Sequence, residues 1–157
     1  MSKSLKRVKR ALDEAGISVD VLETGSDTST AAQAADVAGC HLEQIAKSII
    51  FRGENSQTAI LFLTAGGNRV DSAKASAVAG EELGKADAAL IRAQTGFAIG
   101  GVSPVGHLNP IRAFFDPRLL EFDVIWAAAG TPHHIFPIAP DILLKLTGAK
   151  RADFTES

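Results

Sequence analysis

The stretch that most constrains this chain runs from Gly96 to His107 and reads GFAIGGVSPVGH. It holds four glycines and a proline, as a flexible linker would, yet Phe97, Ile99, Val102 and Val105 are spaced through it. Glycine permits backbone conformations closed to other residues and lets a ligand approach the main chain closely. The stretch is therefore either a glycine-kinked strand end without a ligand or a loop that holds something small. Its glycine spacing matches neither a dinucleotide fingerprint nor a Walker phosphate loop.

The composition is ordinary for a globular chain. Of its 157 residues, 46% are hydrophobic and 22% are charged, which predicts one domain over residues 1–157 with a core of its own. The formal net charge of −2 argues against nucleic-acid binding by the whole surface but leaves room for a local basic face. No segment resembles a membrane span or a signal peptide, so we expect a cytoplasmic protein without membrane contact. Cys40 is the only cysteine, which excludes a disulfide within the chain.

The N-terminal segment predicts an amphipathic helix with a basic face. Apolar residues recur at helical spacing from Leu5 to Ala15, and Gly16 is a natural stop. Five cations are interspersed among them: Lys3, Lys6, Arg7, Lys9 and Arg10. Such a face is either merely solvated or, where RNA is the ligand, a contact for phosphates.

The rest of the chain alternates between strand and helix patterns. Strands are predicted over residues 17–23, 47–51, 58–64, 111–115, 122–128 and 134–138, and the second and third of these form a hairpin. Helices are predicted after Thr30, which has capping-box spacing to Gln33, after Asp71, and over residues 87–95 and 140–146. The sequence contains no internal repeat or interdomain linker.

Lys47 is a candidate for chemistry because it lies at the mouth of an apolar strand. It is either a strand-end lysine that reaches water or a cation directed into a pocket. The histidines form no metal-binding pattern, since His133 and His134 are adjacent and point to opposite faces of a strand. We therefore expect neither a metal nor a cofactor. Ser103 lies in no nucleophile elbow, and Cys40 is expected to be a packing residue.

The remaining candidates are the strand-end lysine, the glycine-rich stretch and scattered polar residues such as Thr30, Asp116 and His134. None of them is diagnostic by itself. Together they suit the binding of an ester or carboxyl group through main-chain N–H donors, with water as the attacking group.

These motifs, in this order, resemble those of the YbaK/ProX family, the free-standing relatives of the editing domain inserted in bacterial prolyl-tRNA synthetases. The resemblance runs from about Gly16 to Leu146 and is carried by the helix opening at Thr30, the QIAKS motif of residues 44–48, the TGFAIGGVSP motif of residues 95–104 and Asp116. It implies a mixed α/β fold, with a curved, partly barrel-like mixed sheet flanked by helices. It also implies an aminoacyl-tRNA deacylase that acts in trans on a mischarged tRNA, tRNA(Pro) or a related one, bearing a small amino acid.

The resemblance also implies the site. Lys47 falls on the family's essential lysine. Substrate binding is assigned to Gly100, Gly101, Val102, Ser103, Pro104, Thr30, Asp116 and His134. Lys47 suits holding the terminal adenosine and orienting the ester, but not general-base catalysis, because an exposed lysine is protonated at neutral pH. Activation of the water then falls to the substrate's ribose hydroxyl or, for a cysteinyl substrate, to its thiol.

The expected partner is the acceptor end of tRNA, and a prolyl-tRNA synthetase is a candidate second partner. Ser48 and the pair His133 and His134 depart from the alanyl-specific and cysteinyl-specific branches, so the amino acid stays open. Two other classes also stay open: a non-catalytic nucleic-acid-binding or regulatory module that uses the basic helix, and a small-molecule ester hydrolase. In the deacylase, we expect a Cβ at Gly101 to fill space that the bound amino acid needs.

Overall fold

A computed structural model describes residues 2–25 and 27–157, and its strands are divided between two sheets. Within these residues the helices are α1 (Lys3–Glu14), α2 (Ala31–Ala38), α3 (Ser72–Ala79), α4 (Ala88–Thr95) and α5 (Pro140–Thr147). The strands are β1 (Leu22–Glu23), β2 (Ala46–Gly53), β3 (Ala59–Ala65), β4 (Leu83–Lys85), β5 (Arg112–Phe115), β6 (Ile125–Ala128), β7 (His134–Ile138) and β8 (Lys150–Arg151). Short 3-10 helices span Leu42–Gln44 and Pro117–Glu121.

The larger sheet is mixed and has the strand order β4-β2-β3-β5-β8. β2 and β3 form the predicted antiparallel hairpin, with Lys47 opposite Thr64, while β5 pairs in parallel with both β3 and β8. The smaller sheet is antiparallel and has the order β1-β7-β6. A parallel bridge between Ile45 and Trp126 joins the two sheets into a curved, partly barrel-like wall. The expected mixed α/β fold with flanking helices is therefore confirmed.

The two faces of the larger sheet pack into different cores. Leu61 and Leu63 of β3 point into the main core, which α1, α4, α5 and the smaller sheet also line. Ile60 and Phe62 point the other way, into a second core with α3 and Phe154. The main core therefore lies between the two sheets, on the side of β2 and β3 where the candidate site is found.

The predicted helix ends are confirmed. The Thr30 hydroxyl accepts from the Gln33 N–H at 3.2 Å, and the Gln33 side chain accepts from the Thr30 N–H at 3.1 Å, which completes the capping box of α2. Asp71 and Asp87 cap α3 and α4 through side-chain oxygens. Gly96 ends α4 with a φ of +82°, a conformation that favours glycine.

The strand predicted over residues 17–23 is wrong in length, because only Leu22 and Glu23 pair with β7. The alternation nevertheless reflects burial, since Ile17, Val19 and Val21 pack against the main core without joining a ladder. β4 and β8 were not predicted, because three and two residues are too few to show a period. Over residues 2–25 and 27–157, no helix combines the length and the apolar character needed to cross a membrane.

Candidate active site

A cavity of about 580 Å³ lies between the two sheets, beside the bridge that joins them. Its walls come mainly from β2, β6, the N-terminal turn of α2 and part of the glycine-rich stretch. The lining is mostly apolar and includes Ile45, Ile50, Ile91, Ile99, Val102, Trp126 and Ile135. Its polar side chains are Thr28, Ser29, Thr30, Lys47 and Ser48. An apolar cavity with a few convergent polar groups is the usual form of a small-molecule site.

Lys47, the second residue of β2, supplies a cation to this cavity. The side chain is partly buried, and its Nζ donates to the Asn68 carbonyl oxygen at 2.6 Å. Burial lowers the pKa of the ammonium group; Glu43 opposes that shift, Arg69 adds to it, and Asp116 opposes it. The site thus contains a partly desolvated cation, which is suited to holding an anionic or strongly polar group.

Asp116 organises the turn that holds Lys47 and does not belong to the cavity lining. The residue is 2% exposed. Its carboxylate accepts from the Ala65 N–H at 3.0 Å, from the Asn68 side-chain amide at 2.9 Å and from the Arg118 N–H at 3.0 Å. The parallel pairing of β3 with β5 brings it beside the end of β3. With these three donors bound, Asp116 holds the turn whose Asn68 carbonyl Lys47 contacts, and its charge also raises the pKa of Lys47.

Arg7 of the basic helix holds both ends of the glycine-rich stretch. Its Nη2 donates to the Gly96 carbonyl at 2.8 Å, and its Nε donates to the Gly106 carbonyl at 3.1 Å. Its guanidinium carbon also lies 4.9 Å from the centroid of the Phe97 ring, a cation–π contact. One of the five predicted surface cations therefore has a structural role inside the protein.

The predicted site residues divide into two groups. Those that line the cavity are Thr30, Lys47, Gly100 and Val102. Those outside its lining are Gly101, Ser103, Pro104, Asp116 and His134. Ser103 is buried, its hydroxyl accepts from the Val105 N–H at 3.2 Å, and its carbonyl oxygen lies 2.7 Å from Nε2 of His107. Burial lowers the pKa of His107, so this ring supports the loop in its neutral form.

Gly101 lies outside the cavity lining and allows the glycine-rich stretch to approach the turn at Thr131 closely. A Cβ added to Gly101 would lie 2.8 Å from the Cα of Thr131 and 2.9 Å from its carbonyl carbon. The expectation that this Cβ would fill substrate space is therefore wrong, because it would point at the Thr131 backbone. His134 braces the same turn, with Nδ1 2.6 Å from the Thr131 hydroxyl. Gly100, by contrast, lines the cavity with a φ of +93°, which favours glycine.

Two polar residues of the site, Ser48 and Asn68, were not predicted as site residues. Ser48 follows Lys47 on β2 and lines the cavity. Asn68 lies in the turn after β3 and links Asp116 to Lys47. The one sequence signal for Ser48 is its position next to the lysine. The role of Asn68 depends on contacts between distant segments, which the local pattern does not reveal.

Cys40 and the four histidines do not line the cavity. Cys40 packs with Ala34 and Ile45, and burial raises the pKa of its thiol, which agrees with the expected packing role. Across the part of the chain that the structure describes, no group of three or more histidine, cysteine or acidic side chains is arranged to hold a metal ion. The cavity itself offers one lysine ammonium group and the hydroxyl groups of two serines and two threonines.

Comparisons with known proteins agree with the fold. The sequence model of the aminoacyl-tRNA editing domain matches residues 25–146. The uncharacterized protein YwhH of Bacillus subtilis (strain 168) is 31% identical over 147 residues, which are 94% of this chain and 93% of that protein. A solved structure of a candidate trans-editing enzyme for prolyl-tRNA synthetase is 44% identical, with a TM-score of 0.92 over 100% of this chain and 99% of that one. The hypothetical protein APE2540 is 26% identical, with a TM-score of 0.87 over 96% of this chain and 99% of that one. The chain therefore belongs to the aminoacyl-tRNA editing domain family, as its resemblance to YbaK/ProX implied.

Proposed function

We propose that the protein is a trans-editing deacylase, which hydrolyses the ester of a mischarged tRNA that carries a small amino acid. The observation that carries this proposal is Lys47, a cation at a largely apolar cavity between two sheets. The similarity to a candidate trans-editing enzyme for prolyl-tRNA synthetase supports tRNA(Pro), or a related tRNA, as the carrier. On this proposal the acceptor end of the tRNA is the ligand, prolyl-tRNA synthetase is a candidate partner, and the reaction takes place in the cytoplasm.

Lys47 is suited to hold the substrate rather than to remove a proton. One of its N–H groups donates to the Asn68 carbonyl, which leaves further donors for a phosphate or for the ester oxygen. In the proposed reaction a water oxygen attacks the ester carbonyl carbon, and negative charge develops on the carbonyl oxygen. A nearby cation stabilises that charge. The ester C–O bond then breaks, a proton from the water reaches the leaving ribose oxygen by way of the neighbouring hydroxyl, and the free amino acid departs.

The walls of the cavity favour small aminoacyl groups. The volume of about 580 Å³ has to take in the terminal ribose as well as the amino acid, because the ester joins the two. Ile45, Val102 and Trp126 restrict the remaining space. A steric clash rejects a large side chain far better than a missing methylene rejects a small one. We therefore place alanine, serine, cysteine and threonine among the candidate substrates and exclude bulky aromatic residues.

The first test is deacylation by Lys47→Ala, with Lys85→Ala as the matched control. Lys85 is an exposed lysine on β4, in the same sheet as Lys47. We expect Lys47→Ala to lower kcat/KM by about 100-fold or more, because it removes the cation that faces the developing charge. Circular dichroism should show both variants folded, since replacing a partly exposed lysine costs little stability. Near-wild-type turnover by folded Lys47→Ala contradicts the proposal.

A panel of tRNAs mischarged with different amino acids separates the deacylase from the other two functional classes. A non-catalytic nucleic-acid-binding module would bind the tRNA without releasing its amino acid. A small-molecule ester hydrolase would cleave a simple amino acid ester as fast as the aminoacyl-tRNA. Rapid hydrolysis of phenylalanyl-tRNA would contradict selection by size while leaving the deacylase assignment intact.

A further inference from the structure

His107, the last residue of the glycine-rich stretch, has one ring nitrogen that is buried and lacks a hydrogen-bond partner among the described residues. This nitrogen is Nδ1, whereas Nε2 lies 2.7 Å from the Ser103 carbonyl oxygen. A carbonyl oxygen only accepts, so in the neutral ring Nε2 carries the proton and Nδ1 is left with a lone pair. An unpaired lone pair in this position costs less than a buried ionic N–H group would.

The charged group closest in role to this ring is Arg7, and it opposes protonation. α1 packs against the stretch at Gly106, whose carbonyl accepts from the Arg7 guanidinium. Arg7 and His107 also contact the same Phe97 ring: its centroid lies 4.9 Å from the guanidinium carbon and 5.2 Å from the centroid of the imidazole. Burial lowers the pKa of His107, the Ser103 carbonyl opposes that shift, and the Arg7 charge adds to it.

The two helices beside the stretch place no opposite charge near the ring. The acidic residues of α1, Asp13 and Glu14, lie in its last turn, about 9 Å or more along the helix axis from Arg7. α4 ends where the stretch begins, and its one charged side chain is the exposed Arg92. Residues 96–107 contain no charged or titratable residue other than His107. A proton on His107 would therefore gain no carboxylate partner from these elements.

The turn at Thr131, which packs against the middle of the stretch, carries two further histidines. His133 is exposed. His134 has its Nε2 3.8 Å from the Glu23 carboxylate, so a proton there gains an opposite charge. His107 differs from both, because a second proton on its ring would be buried and would lie beside a cation.

We propose that His107 is a pH-sensitive switch: the neutral ring holds the glycine-rich stretch closed through the Ser103 carbonyl, and protonation at Nδ1 opens it. In the closed form the new N–H would be buried without an acceptor, whereas in the open form water solvates it. Gly100 and Val102 of this stretch line the cavity between the sheets, so the opening also displaces part of the cavity wall. The proposal concerns the wall and not the reaction, and it stands or falls independently of the deacylase function.

The direction and size of the effect follow from the difference in proton affinity between the two forms. The open form binds the proton with the ordinary histidine pKa of about 6.5, and the closed form binds it only at a lower pH. The closed form is therefore fully favoured above about pH 6.5 and becomes less favoured as the pH falls below that value. Between pH 7.5 and 5.0, the ratio of open to closed form should rise by up to about 30-fold.

The test is amide hydrogen exchange, followed by NMR from pH 7.5 to 5.0 in the wild-type protein and in His107→Gln. Glutamine keeps an N–H donor for the Ser103 carbonyl but is not protonated in this range. The reporters are the N–H groups of Val105 and Leu108, which donate to the Ser103 hydroxyl and the Thr95 carbonyl. After correction for the pH dependence of intrinsic exchange, opening should increase threefold or more, up to about 30-fold, in the wild-type protein and less than twofold in His107→Gln.

Two controls show that the opening is local and belongs to this histidine. The amides that pair β2 with β3 should stay protected over the same range, as expected for an opening confined to the stretch. His41→Gln, at an exposed histidine before the first 3-10 helix, should behave as the wild-type protein does. A rise of less than threefold in the wild-type protein, or an equal rise in His107→Gln, would overturn the proposal.

The wild-type protein alone gives a second measurement, which keeps its force if His107→Gln does not fold. The Cε1 proton resonance of His107 is followed over the same pH range. We expect it to keep the chemical shift of a neutral ring at pH 6.0, where a free histidine side chain is already mostly protonated. A His107 resonance that titrates as a free histidine does, while the reporter amides stay protected, would contradict the switch.

Discussion

Replacement of Asp116 by alanine tests whether this buried carboxylate sets the position of Lys47. The variant removes the acceptor of three hydrogen bonds of 2.9 to 3.0 Å, from two main-chain N–H groups and the Asn68 amide. A hydrogen bond to a charged group contributes about 1.5–3 kcal/mol, but losses within one network do not add. We expect a fall of about 3–5 kcal/mol in the free energy of unfolding, typical of a broken buried network. The thermal midpoint should fall by on the order of 10 °C.

The loss of activity should follow from the turn rather than from lost substrate contact. In Asp116→Ala the Asn68 side chain loses its acceptor, and the Asn68 carbonyl that Lys47 contacts is no longer held in place. The assay is single-turnover deacylation at a temperature well below the midpoint of the variant, with circular dichroism to establish that it is folded. We expect the rate of the chemical step to fall by at least about tenfold, because small misplacements of a catalytic group are costly.

A double-mutant cycle between Asp116→Asn and Asn68→Ala distinguishes positioning from general destabilisation. Asp116→Asn keeps the side-chain volume but replaces one acceptor oxygen with a donor. If the two residues act on Lys47 as one unit, the combined loss of activity should be clearly smaller than the product of the single losses. Full activity of folded Asp116→Ala, or strict additivity in the cycle, would refute the argument.

We also expect Asp116→Asn to change the pH dependence of deacylation. The charge of Asp116 raises the pKa of Lys47, while burial lowers it. Removing that charge in Asp116→Asn leaves the burial effect less opposed, so the ammonium should lose its proton at a lower pH. The alkaline fall in enzyme-catalysed deacylation should therefore begin at a lower pH than in the wild-type protein. Rates are compared after subtraction of spontaneous ester hydrolysis, and an unshifted profile would contradict a role for the ammonium form.

Further predictions concern the glycine-rich stretch and the basic helix. Gly101→Ala should lower the free energy of unfolding by about 1–3 kcal/mol, measured in urea, because its Cβ overlaps the Thr131 backbone. Unchanged stability would contradict that packing. Arg7→Gln should reduce stability and activity at every salt concentration, since Arg7 holds two loop carbonyls. A glutamine triple variant tests exposed cations for tRNA contact: binding should lose about one unit of log–log salt slope for each lost contact. The three residues replaced by glutamine in this variant are Lys3, Lys6 and Arg10. An unchanged salt slope would show that they contact solvent and not tRNA.

Local signals in the sequence were enough to predict most elements of the fold. The capping box at Thr30, the caps at Asp71 and Asp87 and the glycine after α4 act within a few residues, so their spacing identifies them. The hairpin of β2 and β3 is also local. The length of β1 was overestimated, because the alternation of residues 17–23 reports only that one side of the segment is buried. A strand also needs a hydrogen-bonding partner for its main chain.

The candidate site was less predictable because it joins segments far apart in the sequence. Lys47 stood out as a cation on an apolar strand. The roles of Asp116 and Asn68 depend on the parallel pairing of β3 with β5, which no local pattern specifies. Arg7 looked like one more surface cation, because periodicity places it at the edge of the apolar face but does not reveal the loop that covers it. His134 likewise does not line the cavity; its ring contacts the hydroxyl of Thr131, in the turn that packs against Gly101.

In the proposed deacylase, selection of the substrate side chain by size depends on how firmly the walls of the cavity are held. A clash excludes a large side chain only to the extent that the wall resists displacement, since a loop that yields lowers the cost of the clash. The glycine-rich stretch has a backbone suited to close approach but not to rigidity. Its rigidity comes from outside, through Arg7 at its two ends and through the contact of Gly101 with the turn that His134 braces. In the proposed deacylase, residues that do not line the cavity should therefore control which side chains it rejects, and we expect Arg7→Gln to raise hydrolysis of large aminoacyl esters relative to small ones.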